Sequence, residues 1–240
     1  GRLVFFLPPG RRVDQLGLAD LLFDWGILVA NDIVVDPDPT YVTEDLDLIV
    51  SAFDETHPIT QSLVNHKLGL RFGPTRTVRP DPGRSPASGL TVVPVAAASR
   101  SAWGETHFLQ QPFALDAEDI RPLAGIPPKD QLGIVVASER VSVRDNLPFS
   151  VRGGRLVVFG TGDLVSNQRI VNNGNLPVFL NTVNWCVDRD HLLNVPPRPI
   201  ERFQLALSAA EFERLRYALL LGLPGATFLL GVIVYWTRRV

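Results

Sequence analysis

Methionine is absent from all 240 residues, position 1 included. The expectation that follows is a translation start upstream, with any N-terminal signal or anchor outside this chain. Gly1-Arg2-Leu3-Val4-Phe5-Phe6-Leu7 already reads as a strand inside a fold, so the chain is read as the C-terminal part of a longer protein. Cysteine is nearly absent as well: Cys186 stands alone and excludes an internal disulfide. That removes a common staple of exported domains without deciding the compartment. A basic excess is missing too, since 23 Lys and Arg against 25 Asp and Glu leave a formal net charge of −2. The few arginine pairs are scattered and no aromatics interleave with them, so nucleic acid is not an expected partner.

Catalytic and metal signatures are equally sparse. His57, His66, His107 and His191 are scattered and form no HxH, HExxH or Cys/His spacing, so neither a metal nor a cofactor is expected. No G-x-S-x-G occurs. Cys186 falls late in a predicted helix beside Trp185, not on a sharp turn after a strand, and reads as a small buried hydrophobe. His57 precedes Pro58 with no visible acid or nucleophile, and reads as a structural histidine. No catalytic residue is assigned.

What is present in quantity is apolar residue, 45% against 20% charged, enough for a globular core and something more. From Tyr217 to Trp236 the sequence YALLLGLPGATFLLGVIVYW carries no charge. About 20 residues at 1.5 Å each cross roughly 30 Å of hydrocarbon. Tyr217 at one end and Tyr235-Trp236 at the other suit the interfaces, flanked by Arg214 and Arg216 before the span and by Arg238 and Arg239 after it. Pro224 lies mid-span, where a membrane helix tolerates it with a kink. Gly222 and Ala226 form a small-xxx-small pair. The arginines tie across the span. Two of them in the short tail 237–240 favour a cytoplasmic C-terminus, which places the domain outside the cytoplasm.

The soluble part, residues 1–207, reads as an α/β domain. Residues 2–7 are a continuous apolar run closed by Pro8-Pro9-Gly10, as in a buried parallel strand. Leu16, Leu18, Leu21, Leu22 and Trp25 recur at helical spacing before Gly26, and Ile33-Val34-Val35 follows as a strand. Together they predict a βαβ unit with a right-handed crossover. Residues 74–90 read as an exposed Pro/Arg/Gly/Ser loop. Further strands are predicted at 91–98, 132–137 and 155–160. The phrase GRLVFF at Gly1 recurs as GRLVVF at Gly154, which suggests two strands of similar burial. A helix is predicted over 176–187 with Asn175 as N-cap and Val178, Phe179, Val183 and Cys186 on its buried side. A last strand is expected at 203–207. Ser208-Ala209-Ala210-Glu211 is a capping box that opens a juxtamembrane helix, 208–216, running on into the span, 217–236. The order of elements predicts a doubly wound, mostly parallel sheet.

Ligands of such sheets bind beyond the strands' carboxyl ends. Gly160-Thr161-Gly162-Asp163 is a turn at such an end, without the third glycine of a dinucleotide fingerprint or the lysine of a P-loop, and reads first as a tight structural turn. The places to look for a ligand or partner are Asp163, Ser166 and Asn167, with the asparagine-rich stretch through Asn175 and Asn181 to Trp185.

These residues also resemble a family. Trp25-Gly26-Ile27 with Asn31-Asp32-Ile33-Val34-Val35-Asp36 is similar to a stretch of the auxiliary component of ABC transport systems tied to gliding motility (GldG-type). In the same order, His57-Pro58-Ile59-Thr60, Ser99 through Trp103 to Glu105, Gly154 to Gly160 with Asp163 and Asn167, and Asn175 through Asn181 to Trp185 resemble its motifs. So does the closing span with its proline, Trp236, Arg238 and Arg239. Thr161-Gly162 and the proline-rich loop 74–90 depart from the pattern. The resemblance implies a sheet related to class I glutamine amidotransferases without their triad. It further implies an extracytoplasmic domain at the cell inner membrane, and ABC permease and ATPase subunits as partners. The expected function is a non-enzymatic auxiliary subunit of a transport complex. A membrane-tethered hydrolase or transferase, and an envelope ligand-binding sensor, stay open beside it.

Overall fold

The computed structural model describes residues 1–83, 89–110, 112–122, 131–142, 151–172, 174–188 and 208–238. In chain order the elements are β1 (Arg2–Phe6), α1 (Ala19–Asp24), β2 (Ile27–Val29), β3 (Ile33–Val35), β4 (Leu48–Val50), β5 (Ala52–Phe53) and α2 (Gln61–His66). Then come β6 (Leu70–Phe72), β7 (Val78–Pro80), β8 (Leu90–Ala97), β9 (Trp103–Glu105), β10 (Gly133–Ser142), β11 (Val151–Phe159), α3 (Asn175–Cys186) and α4 (Ala209–Thr237).

A five-stranded sheet in the order β1-β11-β10-β8-β5 organises the domain, with three two-stranded ladders, β2-β7, β3-β9 and β4-β6, around it. Strand β11 shows why the sheet is central. Leu156 and Val158 point to one core with Leu22 of α1, while Val157 and Phe159 point to the other with Val178 and Trp185 of α3. This period-two division buries both faces of the strand. Phe159 is fully buried and stacks on Phe6 with ring centroids 4.9 Å apart, and burial of a side chain of this kind contributes about 2–3 kcal/mol. The protein is therefore α/β, with helices on both sides of a mixed sheet.

Several sequence expectations are corrected here. The described sheet is not mostly parallel: β1-β11 is parallel, while β11-β10, β10-β8 and β8-β5 are antiparallel. Only residues 143–150 separate β10 from β11, too few for the crossover of a dozen or more that a parallel pair needs. The βαβ unit does not form either. After α1 the chain enters β2, which pairs with β7, and β3 pairs with β9 instead of joining the sheet of β1. The two GRLV phrases lie side by side in register, Arg2 opposite Arg155 through Phe6 opposite Phe159. Their burial differs because β1 is at the edge, where Leu3 is 41% exposed, whereas Leu156 is fully buried.

Residues 75–78 are not an exposed loop. Thr75, Arg76, Thr77 and Val78 are wholly buried, and they cross the end of β11 where the Arg76 N–H donates to the Gly160 carbonyl at 2.8 Å. In α3 the N-cap is Gly174 and Asn175 is the first helical residue. A Cβ at Gly174 would lie 2.4 Å from the Gly69 carbonyl oxygen, so the close approach of the helix to that segment requires glycine. On the same helix Val183 is exposed and Phe179 half-buried, while Trp185 and Cys186 are buried. The strand expected at 203–207 lies outside the described residues.

Candidate functional site: a polar cleft at the strand ends and an uncovered C-terminal helix

Because β8 and β11 both run antiparallel to β10, and β11 runs parallel to β1, three of the five strands end on one edge of the sheet. Beyond β8 the chain continues as Ala98-Ser99-Arg100-Ser101. The ladder β3-β9 sets Val35 opposite Trp103, so Asp36, one residue on, meets the serines that precede β9. The Ser99 hydroxyl bonds the Asp36 carboxylate, and the Ser101 hydroxyl donates to its other oxygen at 2.7 Å. The two hydroxyl oxygens are 2.8 Å apart. Asp36 and Ser99 are buried and Ser101 is exposed. Ser99 and Ser101 line a half-open cleft of about 420 Å³ together with Asp38, Tyr41, Ile49, Ser51, Ala52, Arg100 and Gln131, and Asp36 is hydrogen-bonded to both serines. The size of the cleft falls within the range of small-molecule sites.

The sequence pointed to the end of β11 instead. There Asp163 is engaged internally: it accepts from the Thr161 hydroxyl at 2.8 Å and pairs with Arg169 at 2.7 Å. Arg169 and Arg71 both converge on the buried Asp47, at 2.6 Å each, and Arg71 also reaches Asp45 at 2.7 Å. The Asp47 bond, opposed by burial and aided by Asp163, raises the Arg169 pKa above its usual value. Gly73 is part of this arrangement, since a Cβ there would come within 2.3 Å of the Asp163 carboxylate. The Ser166 hydroxyl is buried without a partner, and Asn167 is exposed.

Asn175, Asn181 and Trp185 do not present a recognition surface. Asn175 accepts from the Arg71 N–H at 3.0 Å and donates to the carbonyls of Arg71 and Arg169, which clamps β6 to α3. Asn181 donates to the Ile59 carbonyl at 3.1 Å and the Ser62 hydroxyl at 2.8 Å, joining α3 to α2. Trp185 lies under the Arg155 guanidinium at 4.5 Å and beside the His57 ring at 5.1 Å. His57 accepts the Ile59 N–H at Nδ1, 3.2 Å, and burial pushes its pKa down to about 4, which keeps it neutral. Burial raises the Cys186 thiol to about 11, so the reactive thiolate is scarcely populated at neutral pH. Among the described residues no group of three or more His, Cys, Asp or Glu could hold a metal ion.

The helix α4 opens at the expected capping box. The Ser208 side chain accepts the Glu211 N–H, and the Glu211 carboxylate accepts the Ser208 N–H at 2.9 Å. Ser208 also bridges to Thr43 of the domain. From there a continuous helix of 29 residues runs through Tyr217, Pro224, Tyr235 and Trp236 to its C-cap Arg238; Arg239 lies outside the described residues. It is long and apolar enough to cross a membrane, and none of its apolar stretch is buried against the rest of the protein. Thr227, the polar side chain of the span, donates to the Pro224 carbonyl at 2.8 Å, so it needs no outside partner.

No protein-family model matches the chain, and no curated protein does. Among solved structures it is similar to the mmIFT52 N-terminal domain, with 16% identity and a TM-score of 0.49. The match covers 78% of this chain and spans 64% of that one.

The sequence reading missed the cleft at β8. The signal was there in Ser99-Arg100-Ser101, a polar triplet directly after a buried apolar strand, by the same strand-end rule that singled out Asp163.

Proposed function

We propose that this chain is a membrane-anchored, non-enzymatic auxiliary subunit of an ABC-type transport complex, with its α/β domain on the extracytoplasmic side of the inner membrane. The observation that carries the anchor is α4: one capped helix leaves the domain at Ser208 and exposes its whole apolar length. A core helix of a soluble protein would bury that surface. The assignment to a transport complex rests on the ordered motif resemblance. Part of that resemblance is a doubly wound relationship to class I glutamine amidotransferases. Three co-directional strands with a common carboxyl end, and helices on both faces, are compatible with that relationship.

The non-enzymatic reading is supported by the internal engagement of the obvious chemical groups. His57 is neutral and accepts a backbone N–H, Cys186 is a buried thiol, and Asp163 is ion-paired. The test is purification of the full-length protein, tagged at its C-terminus, in mild detergent. An ABC ATPase and a polytopic permease are expected to co-purify in fixed ratio. Isolation alone, under conditions that preserve other transporters, would sink the proposal and move the tethered enzyme or the sensor ahead.

A further inference from the structure

The geometry points to the cleft beyond β8 as a binding site for a small zwitterion of the α-amino-acid class. The ammonium group would be taken by Asp38 and the oxygens of Ser99 and Ser101, and the carboxylate by Arg100. This inference stands on the cleft alone and not on the transport assignment.

Proton counting around the two serines of the cleft gives the first reason. Asp36, Ser99 and Ser101 make three oxygen–oxygen contacts, carboxylate to each hydroxyl and hydroxyl to hydroxyl. Each hydroxyl has one proton. The two hydroxyls supply two protons for the three contacts, so one pair of oxygens meets without a hydroxyl hydrogen between them. The backbone N–H of Ser101 reaches Ser99 Oγ only at 3.2 Å, and that of Asp38 is spent on the carboxylate at 3.0 Å. The cluster is rich in acceptors and short of donors. A group bringing several N–H donors into the cleft through exposed Ser101 completes it, and an ammonium brings three.

Charge gives the second reason. Asp38 and Arg100 line the same cleft and are not paired with each other. Hydrogen bonds from Thr40 hold the Asp38 carboxyl below its usual range, so it is anionic at neutral pH. Arg100 is exposed and has no ion-pair or hydrogen-bond partner among the described residues. A guanidinium fork is the side chain best matched to a carboxylate. One anion and one cation in a cleft of about 420 Å³ suit a ligand that is small and carries both charges.

The test is titration of the full chain in detergent by calorimetry. The probes are the common L-amino acids, their N-acetyl and carboxamide derivatives, and a neutral hexose. At least one free amino acid is expected to bind, with both derivatives weaker by about tenfold or more, the usual loss with a charged hydrogen-bond partner. Arg100→Ala and Asp38→Asn are each expected to weaken binding to a similar degree. Arg100 is exposed, so its variant should keep the parent melting temperature and report on binding alone. No binding by any amino acid at millimolar concentration would overturn the inference. So would binding indifferent to N-acetylation, to amidation or to loss of Arg100, or a hexose binding where amino acids do not.

Discussion

His57 sets a pH dependence that a single substitution can isolate. Its imidazole is neutral in the folded protein, with a pKa of about 4 against an ordinary 6.5, because burial disfavours the charged ring. Protonation would also place a hydrogen on Nδ1, where the Ile59 N–H now donates. Well above pH 6.5 neither state binds the proton and the contribution to native stability is complete. As pH falls from there toward 4, the unfolded chain takes up a proton the native state refuses, and stability drops by up to about 3 kcal/mol. Urea midpoints at pH 7.5 and 4.5 are expected to differ less for His57→Gln than for the parent, since carboxylate titrations are common to both. Asp47 supplies a second residue-level expectation. Removing this buried carboxylate in Asp47→Ala leaves Arg71 and Arg169 without their shared anion, at a cost of about 3 kcal/mol by denaturant titration. The sequence made His57 legible as a structural residue because it precedes a proline and lacks chemical partners nearby. Asp47 was not legible, since its partners are 24 and 122 residues away and no local spacing encodes them.

The elements were legible wherever one local pattern decided them. The strand at 91–98, the start of the strand expected at 132–137, the end of the helix before Gly26 and the capping box at Ser208 all stand within a residue or two of their expected places, while β10 runs on to Ser142. Pairing was harder to read, because apolar runs give burial and not direction. β1 and β10 carry similar apolar runs, yet one is parallel to β11 and the other antiparallel. Connection length was the missing arbiter, and the short 143–150 link could have supplied it. Residues 75–78 failed for another reason: prolines and arginines around them suggested solvent, while Asp32 fixes the segment from inside through the Thr77 N–H at 3.0 Å and the Thr77 hydroxyl at 2.5 Å. At the cap, Ser208→Ala is expected to cost about 1 kcal/mol of local stability. Hydrogen exchange should show the loss first at the amides of Glu211 and Phe212, with the sheet unaffected. A broader loss would mean that the Thr43–Ser208 bridge matters more than the cap.

On the scale of the whole molecule, the long apolar helix was the most legible feature, because the length a span needs is set by hydrocarbon thickness and requires no tertiary context; α4 is long and apolar enough to cross a membrane. The full chain is expected to stay in the pellet after alkaline carbonate extraction, and deletion of residues 209–240 to move the domain to the supernatant. A thiol introduced at Thr237 should be labelled by a membrane-impermeant reagent only after the cells are opened; labelling in intact cells would reverse the orientation. The length of α4 also fixes a height. At 1.5 Å per residue its 29 residues span about 43 Å, and as the proposed anchor it would give roughly 30 Å of that to the hydrocarbon layer. About 13 Å is left, little more than the depth of the lipid headgroups. Since Ser208 is stitched to Thr43 as it starts the helix, the described part of this stalk has no swivel. With α4 as the proposed anchor, the Thr43 side of the domain would sit close to the bilayer surface, and a tilt of the rod in the lipid would become a sideways sweep of the domain.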